Sequence, residues 1–130
     1  MVKKEWLEAA VDAQKQAYVP YSKFAVGAAL VTKSGKVFQG CNIENASFGL
    51  TNCAERTAFF KAISEGEHEF QHLVVIGDTD EPISPCGACR QVMVEFCSPD
   101  MPVTLCNTKG EQKEMTVGSL LPYHFDDRQM

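Results

Sequence analysis

The sequence predicts an α/β architecture, helices layered on a five-stranded mixed sheet. Three observations predict it. Short runs rich in β-branched residues alternate with longer stretches of helical period. The second half reads strand, loop, helix, strand, the order of a parallel crossover. No repeat, low-complexity tract or linker interrupts 130 residues, a length that suits one domain and is short for two.

The elements follow in order. Trp6, Leu7, Ala10, Val11, Ala13, Ala17 and Tyr18 recur at helical spacing, so residues 3–18 are expected to form an amphipathic helix stopped by Pro20. Residues 24–32 suggest a strand, 33–36 (Lys-Ser-Gly-Lys) a turn, and 37–41 a returning strand. A polar stretch over 42–52 lacks strong periodicity, after which 53–65 holds good helix formers and ends at Gly66. Residues 72–78 resemble a buried strand, Pro82 and Pro85 mark a loop, and 86–97 repeat an apolar pattern through Ala88, Val92, Met93 and Phe96. A strand at 103–107, parallel to the previous one, a short strand at 112–115, a helical turn at 117–121 and an irregular tail complete the chain.

The bulk chemistry narrows function. An apolar fraction of 45% with 22% charged residues is that of a water-soluble globular protein, without the polarity of a disordered chain or a spanning apolar run. A net charge of −5 with no Lys/Arg cluster argues against nucleic acid and favours a small neutral ligand. Residues 1–18 lack the continuous apolar centre of a secretory signal, so a cytoplasmic location is expected. In a reducing cytosol, Cys41, Cys53, Cys86, Cys89, Cys97 and Cys106 serve metal binding or burial rather than disulfides. Iron–sulfur ligation would need a fourth soft ligand that the spacing does not obviously give.

Cys86-Gly87-Ala88-Cys89 places two thiols one turn apart at a predicted helix start, where they can share an ion. A redox pair is the competing reading, although this motif does not follow the first strand of a thioredoxin-like unit. Cys53 supplies a third sulfur, because it too opens a predicted helix and is followed by the acid Glu55. Two helix N-termini aimed at one point favour thiolate. Three thiolates on Zn²⁺ leave a formal charge of −1, which Arg56 or Arg90, each one turn from a cysteine, can offset; the blander role for either is a surface ion pair. Three protein ligands leave a fourth position for water, and Glu55 stands near enough to move its proton. A first-turn glutamate placed on the helix dipole is its ordinary alternative.

Cys53-Ala54-Glu55 with Pro85-Cys86-Gly87-Ala88-Cys89 resembles the zinc deaminase signature, with cysteine in place of the usual histidine. Together with Phe24-Ala25-Val26-Gly27-Ala28-Ala29-Leu30, Asn42-Ile43-Glu44-Asn45, Cys53 through Ala58 and Cys86 through Gln91, the chain resembles the small cytidine deaminases over nearly its whole length. The resemblance implies a three-layer α/β/α fold with a five-stranded mixed sheet, one Zn²⁺ per chain, a homotetramer, and hydrolysis of cytidine or deoxycytidine to uridine or deoxyuridine plus ammonia. It also implies that Asn42 and Glu44 bind the ribose 3′-hydroxyl, the Ala54 amide binds the base carbonyl, and Phe24 packs on the pyrimidine. The Ser84 carbonyl would receive the leaving amine, and Phe125 would reach a neighbouring subunit's site.

Each of these residues also has an ordinary use. Asn42 and Glu44 suit loops that satisfy local backbone groups, Phe24 suits a core strand, and Phe125 can anchor a tail. Phe48 stands where many relatives have tyrosine. His68, His72 and His124 form no H-x-E arrangement and are read as structural or solvent-facing, and Cys41, Cys97 and Cys106 as buried small hydrophobes. Two rivals stay open: a blasticidin S deaminase, which shares the metal motifs, and a structural zinc module with a closed fourth position.

Overall fold

A computed structural model describes residues 2–130. Its strands β1 (Val26–Thr32), β2 (Val37–Cys41), β3 (Phe70–Gly77), β4 (Pro102–Asn107) and β5 (Gln112–Thr116) form one sheet in the order β2-β1-β3-β4-β5. Only β3 and β4 run parallel, with Leu73 opposite Val103 and Gly77 opposite Asn107; the other pairs are antiparallel. The mixed sheet is therefore the one expected. Helices α1 (Lys4–Gln14), α2 (Ala54–Ser64), α3 (Gly87–Phe96) and α4 (Val117–Leu120) complete the order.

Strand alternation splits the core in two. Ala28, Leu30, Leu73, Val75, Val103 and Leu105 point to one face, where they meet Ala58, Phe59 and Ala62 of α2 and Met93 of α3. Ala29, Val31, Val74 and Ile76 point to the other, where Trp6 and Ala10 of α1 cover them. Both faces being covered, every residue of β1 is buried, and the fold is three-layered, α/β/α.

Helix α1 ends at Gln14, four residues before the expected Tyr18. The reason is tertiary: the Tyr18 amide donates to Asn42 O at 3.0 Å and Glu44 N donates to Tyr18 O at 2.9 Å, so this segment pairs with the far end of β2 rather than adding a helical turn. β1 likewise starts at Val26 rather than at Phe24, because the Asn42 side chain takes over the backbone groups of residues 24–26. Short 3₁₀ turns at Phe48–Leu50 and Asp127–Gln129 lie in the stretches expected to be irregular. His72 is buried between Trp6 and Thr104, its ring nitrogen 2.7 Å from the threonine hydroxyl, a structural role as expected. Among the described residues no helix is long and apolar enough to cross a membrane.

One glycine positions the site. A Cβ on Gly40 of β2 would strike Ala54 O and lie 2.6 Å from Ala58 N, so only a bare α-carbon lets the first turn of α2 press onto the sheet. Gly40→Ala is therefore expected to lower stability by about 1–3 kcal/mol, read from denaturant midpoints. A cost under half a kilocalorie, on the order expected of a surface change, would contradict this close approach.

Candidate functional site

The site gathers where β1 begins and β2 and β3 end, since Gly27 pairs with Cys41 and Val26 with Gly77. Two helices start there. Cys53 is the N-cap of α2 and Cys86 the N-cap of α3, each in an extended conformation without a side-chain cap bond. Both thiols thus sit at the positive end of a helix dipole. Ile43 and Asn52 exchange backbone hydrogen bonds at 2.9 and 3.0 Å, closing the intervening loop so that Asn42 and Cys53 meet.

The sulfurs of Cys53, Cys86 and Cys89 lie within 4.8 Å of one another, although Cys53 and Cys86 are 33 residues apart. Cys86 Sγ is 3.8 Å from Cys53 Sγ and 3.4 Å from Cys89 Sγ. Cys89 is buried and Cys86 exposed, so the cluster opens to one side. The thiol of Cys53 is pushed down, first by its hydrogen bond with Cys89 and then by Arg56, whereas the same bond and burial push Cys89 up. Arg56 Nη2 donates to Cys53 Sγ at 3.1 Å, and its Nε–H is buried without a partner beside the sulfurs. An all-sulfur donor set with a guanidinium at its edge fits a thiophilic divalent ion, zinc above others.

Arg90 does not share that role. Its guanidinium donates to Pro85 O, Leu120 O and Ser84 Oγ at 2.8, 2.7 and 2.6 Å, and makes neither a thiolate contact nor a surface ion pair. Glu55 is 4% exposed, and burial, reinforced by the charge at Cys53, raises its carboxyl to about 7. That places a proton-exchanging group within two residues of a sulfur ligand and near neutral pH.

A cavity of about 170 Å³ joins Cys53, Cys86 and Glu55 to Phe24, Asn42, Ala54 and Ser84. It also takes Val26 and Ile83, which carried no local signal beyond ordinary core composition. Asn42 is partly spent: its Nδ2 donates to Phe24 O and its Oδ1 accepts from Val26 N. Glu44 lies outside the lining, where the Ser22 hydroxyl and the Tyr21 and Ser22 amides bind its carboxylate, and the Ser22 contact holds it below the usual range. Phe125 is also outside, 59% exposed in the tail, with its carbonyl accepting from Gln91. Phe48 is exposed and packs edge-on against Tyr21.

None of His68, His72 and His124 enters the sulfur cluster. Cys41, Cys97 and Cys106 are free thiols away from it; burial pushes Cys97 up to about 12 and Cys106 up to about 11.

The model of the cytidine and deoxycytidylate deaminase zinc-binding region matches residues 1–105. The chain belongs to that deaminase family. A cytidine deaminase of Sporosarcina psychrophila is 60% identical over 113 residues, 87% of this chain and 83% of its own length. One from Halalkalibacterium halodurans is 55% identical across 95% of this chain and 94% of its own. The crystal structure of a cytidine deaminase from Burkholderia pseudomallei superposes with a TM-score of 0.93 at 54% identity, covering 96% of this chain and all (100%) of the other. The three-sulfur cluster is able to hold a metal ion, and the matching family is a zinc-binding one.

Proposed function

We propose that this chain hydrolyses the exocyclic amine of cytidine and deoxycytidine, giving uridine or deoxyuridine and ammonia. One observation carries the reading: a buried carboxyl poised near neutral pH shares a small cavity with Cys53 and Cys86 of a three-cysteine cluster that is open on one side. The 60% identity to a cytidine deaminase supports the same substrate class.

Cys53, Cys86 and Cys89 would hold zinc, which when bound would make a water acidic enough to act as nucleophile near neutral pH. Glu55 takes the first proton of the attacking water and delivers it to ring N3 as the C4–O bond forms; it then takes the second proton, from the hydroxyl added at C4, and passes it to the amine, which leaves as ammonia as the C4–N bond breaks and the C4 carbonyl forms. The Ala54 amide, at the first position of α2, binds the base carbonyl, and Phe24 packs on the ring. The Ser84 carbonyl accepts from the leaving amine. Asn42 and Glu44 take the ribose 3′-hydroxyl with the hydrogen-bonding capacity their backbone contacts leave over. Arg56 draws negative charge from the sulfurs. Arg56→Gln is accordingly expected to lower kcat or zinc affinity by roughly 10- to 100-fold, measured by steady-state assay and chelator competition; wild-type values for both would remove Arg56 from the site.

The cytoplasm is the compartment that suits six free thiols, and nucleoside salvage the role that suits the substrate. The likeness to the small cytidine deaminases implies a homotetramer, and the exposed Phe48, Leu50, Tyr123 and Phe125 offer apolar surface for such subunit contacts. Phe125 would then complete a neighbour's site.

The deciding test is the fall in ultraviolet absorbance on adding cytidine, with and without a chelator, beside parallel assays on deoxycytidine and blasticidin S. Chelator-sensitive turnover of cytidine is expected. Preference for the antibiotic would replace the substrate, and bound zinc without ammonia from any cytosine nucleoside would mean a structural module.

A further inference from the structure

The loop between β3 and α3 carries Ser84, Pro85 and Cys86 into the site, yet it is held unevenly. Ile83 is buried and its amide donates to Cys106 O at 3.3 Å. Ser84, the next residue, is exposed and forms a thin wall: the site cavity lies on one side and a second cavity of about 320 Å³, lined by Pro82, Arg90, Lys113 and Leu120, lies on the other. Pro85 beyond it is buried like Ile83, so packing anchors the loop on either side and leaves Ser84 itself unpacked.

What grips it is Arg90. A guanidinium is a planar fork whose donors have fixed relative directions, so filling three of them sets three acceptors against one another. Here two acceptors, Ser84 Oγ and Pro85 O, belong to the site loop, and the third, Leu120 O, closes α4 just before the tail. Arg90 follows Cys89 directly, and its neighbour Gln91 donates to Phe125 O at 3.0 Å. One turn of α3 thus carries a metal ligand, the clasp on the site loop and two tethers on the C-terminal segment.

We propose that Arg90 is a positioning residue that sets the Ser84–Pro85 backbone against the metal cluster and couples it to the C-terminal segment bearing Phe125. Its kinetic consequence rests on the deaminase reading; its structural consequence does not. The Ser84 carbonyl accepts from the amine already in the substrate, but the amine becomes a charge-assisted donor only as it is protonated to leave, so loss of the clasp falls on kcat more than on KM. Gln91 Nε2 holds the tail at Phe125 O, and under the proposed function that tail reaches a neighbour's substrate site, so loss of Gln91 falls on KM.

The experiment compares wild type, Arg90→Gln, Arg90→Lys and Gln91→Ala in zinc content, cytidine kinetics and amide hydrogen exchange. Arg90→Gln is expected to keep its zinc and lose about 10- to 100-fold in kcat, the range for residues that orient groups at a metal site. Residues 83–87 and 118–126 should exchange faster together while β3 and α2 stay protected. Arg90→Lys, a single charge without the fork, should recover only part of kcat, and Gln91→Ala should raise KM alone. Overturning results are kcat and KM for Arg90→Gln within about twofold of wild type, a difference of under 0.5 kcal/mol, or faster exchange spread through the core of both Arg90 variants with loss of zinc. Were wild type inactive on cytidine, the deaminase reading would fail and the paired exchange of the two segments would still decide the coupling.

Discussion

Glu55→Gln is expected to retain its zinc and to lose roughly 10²–10⁴ in kcat on cytidine, the range that a positioned acid–base group contributes. Glutamine matches the shape of the buried side chain, so α2 and the sulfur cluster keep their places; what disappears is the exchangeable proton. Near-normal turnover would remove Glu55 from the chemistry. The same variant has a second signature in metal-free protein. Burial raises the folded-state carboxyl to about 7 from an ordinary 4.5. Below 4.5 both folded and unfolded chains hold the proton; between 4.5 and 7 the unfolded chain releases it while the folded chain keeps it. The contribution of Glu55 to folded stability therefore declines as pH rises through that window, by on the order of 3 kcal/mol, and stays reduced above it. Glutamine cannot ionise, so metal-free Glu55→Gln should melt above metal-free wild type at pH 8, with the difference shrinking towards pH 4. Parallel melting curves across that range would contradict the burial of an ionisable group.

Cys89→Ser is expected to abolish stable zinc binding and to reduce deamination by roughly 10³-fold or more, since without the ion no nucleophile forms at neutral pH. Cys89 is fully buried and its sulfur is 3.4 Å from that of Cys86, so a hydroxyl there offers a poor ligand with no solvent to compensate. An ion held by Cys53, Cys86 and Cys89 would also tie the first turn of α2 to the first turn of α3. A chelator should therefore lower the melting temperature of wild type and leave Cys89→Ser unmoved. Cys41→Ser, a half-buried thiol outside the cluster, is the matched control and should bind zinc as wild type does. Equal zinc content in both variants would break the assignment of ligands.

Much of this was legible from local pattern. Leu73-Val74-Val75-Ile76 reads as a buried strand, and Cys86-Gly87-Ala88-Cys89 at a helix start can hold two sulfurs towards one point. Each is a statement about neighbours in sequence, where spacing and secondary-structure period suffice. Arg90 shows where that logic stops. Its spacing from Cys86 permits a thiolate contact, yet the guanidinium goes instead to Leu120 O, 30 residues away. Gln91 likewise reaches Phe125 at a separation of 34, and Ser22 reaches Glu44 at 22.

By itself, then, the amino-acid order determined the succession of helices and strands, the two cysteine-bearing helix starts and the acid two residues past one of them. Tertiary structure alone decided that α1 stops at Gln14, that Val26 and Ile83 wall the cavity, that Glu55 is dry enough to titrate near 7, and that Asn42 spends part of its amide on the backbone. The physical reason is one of range. Periodicity and helix-end chemistry act within a turn or two of chain, whereas burial and hydrogen-bond partnership depend on which distant segments the packed sheet brings to the same place.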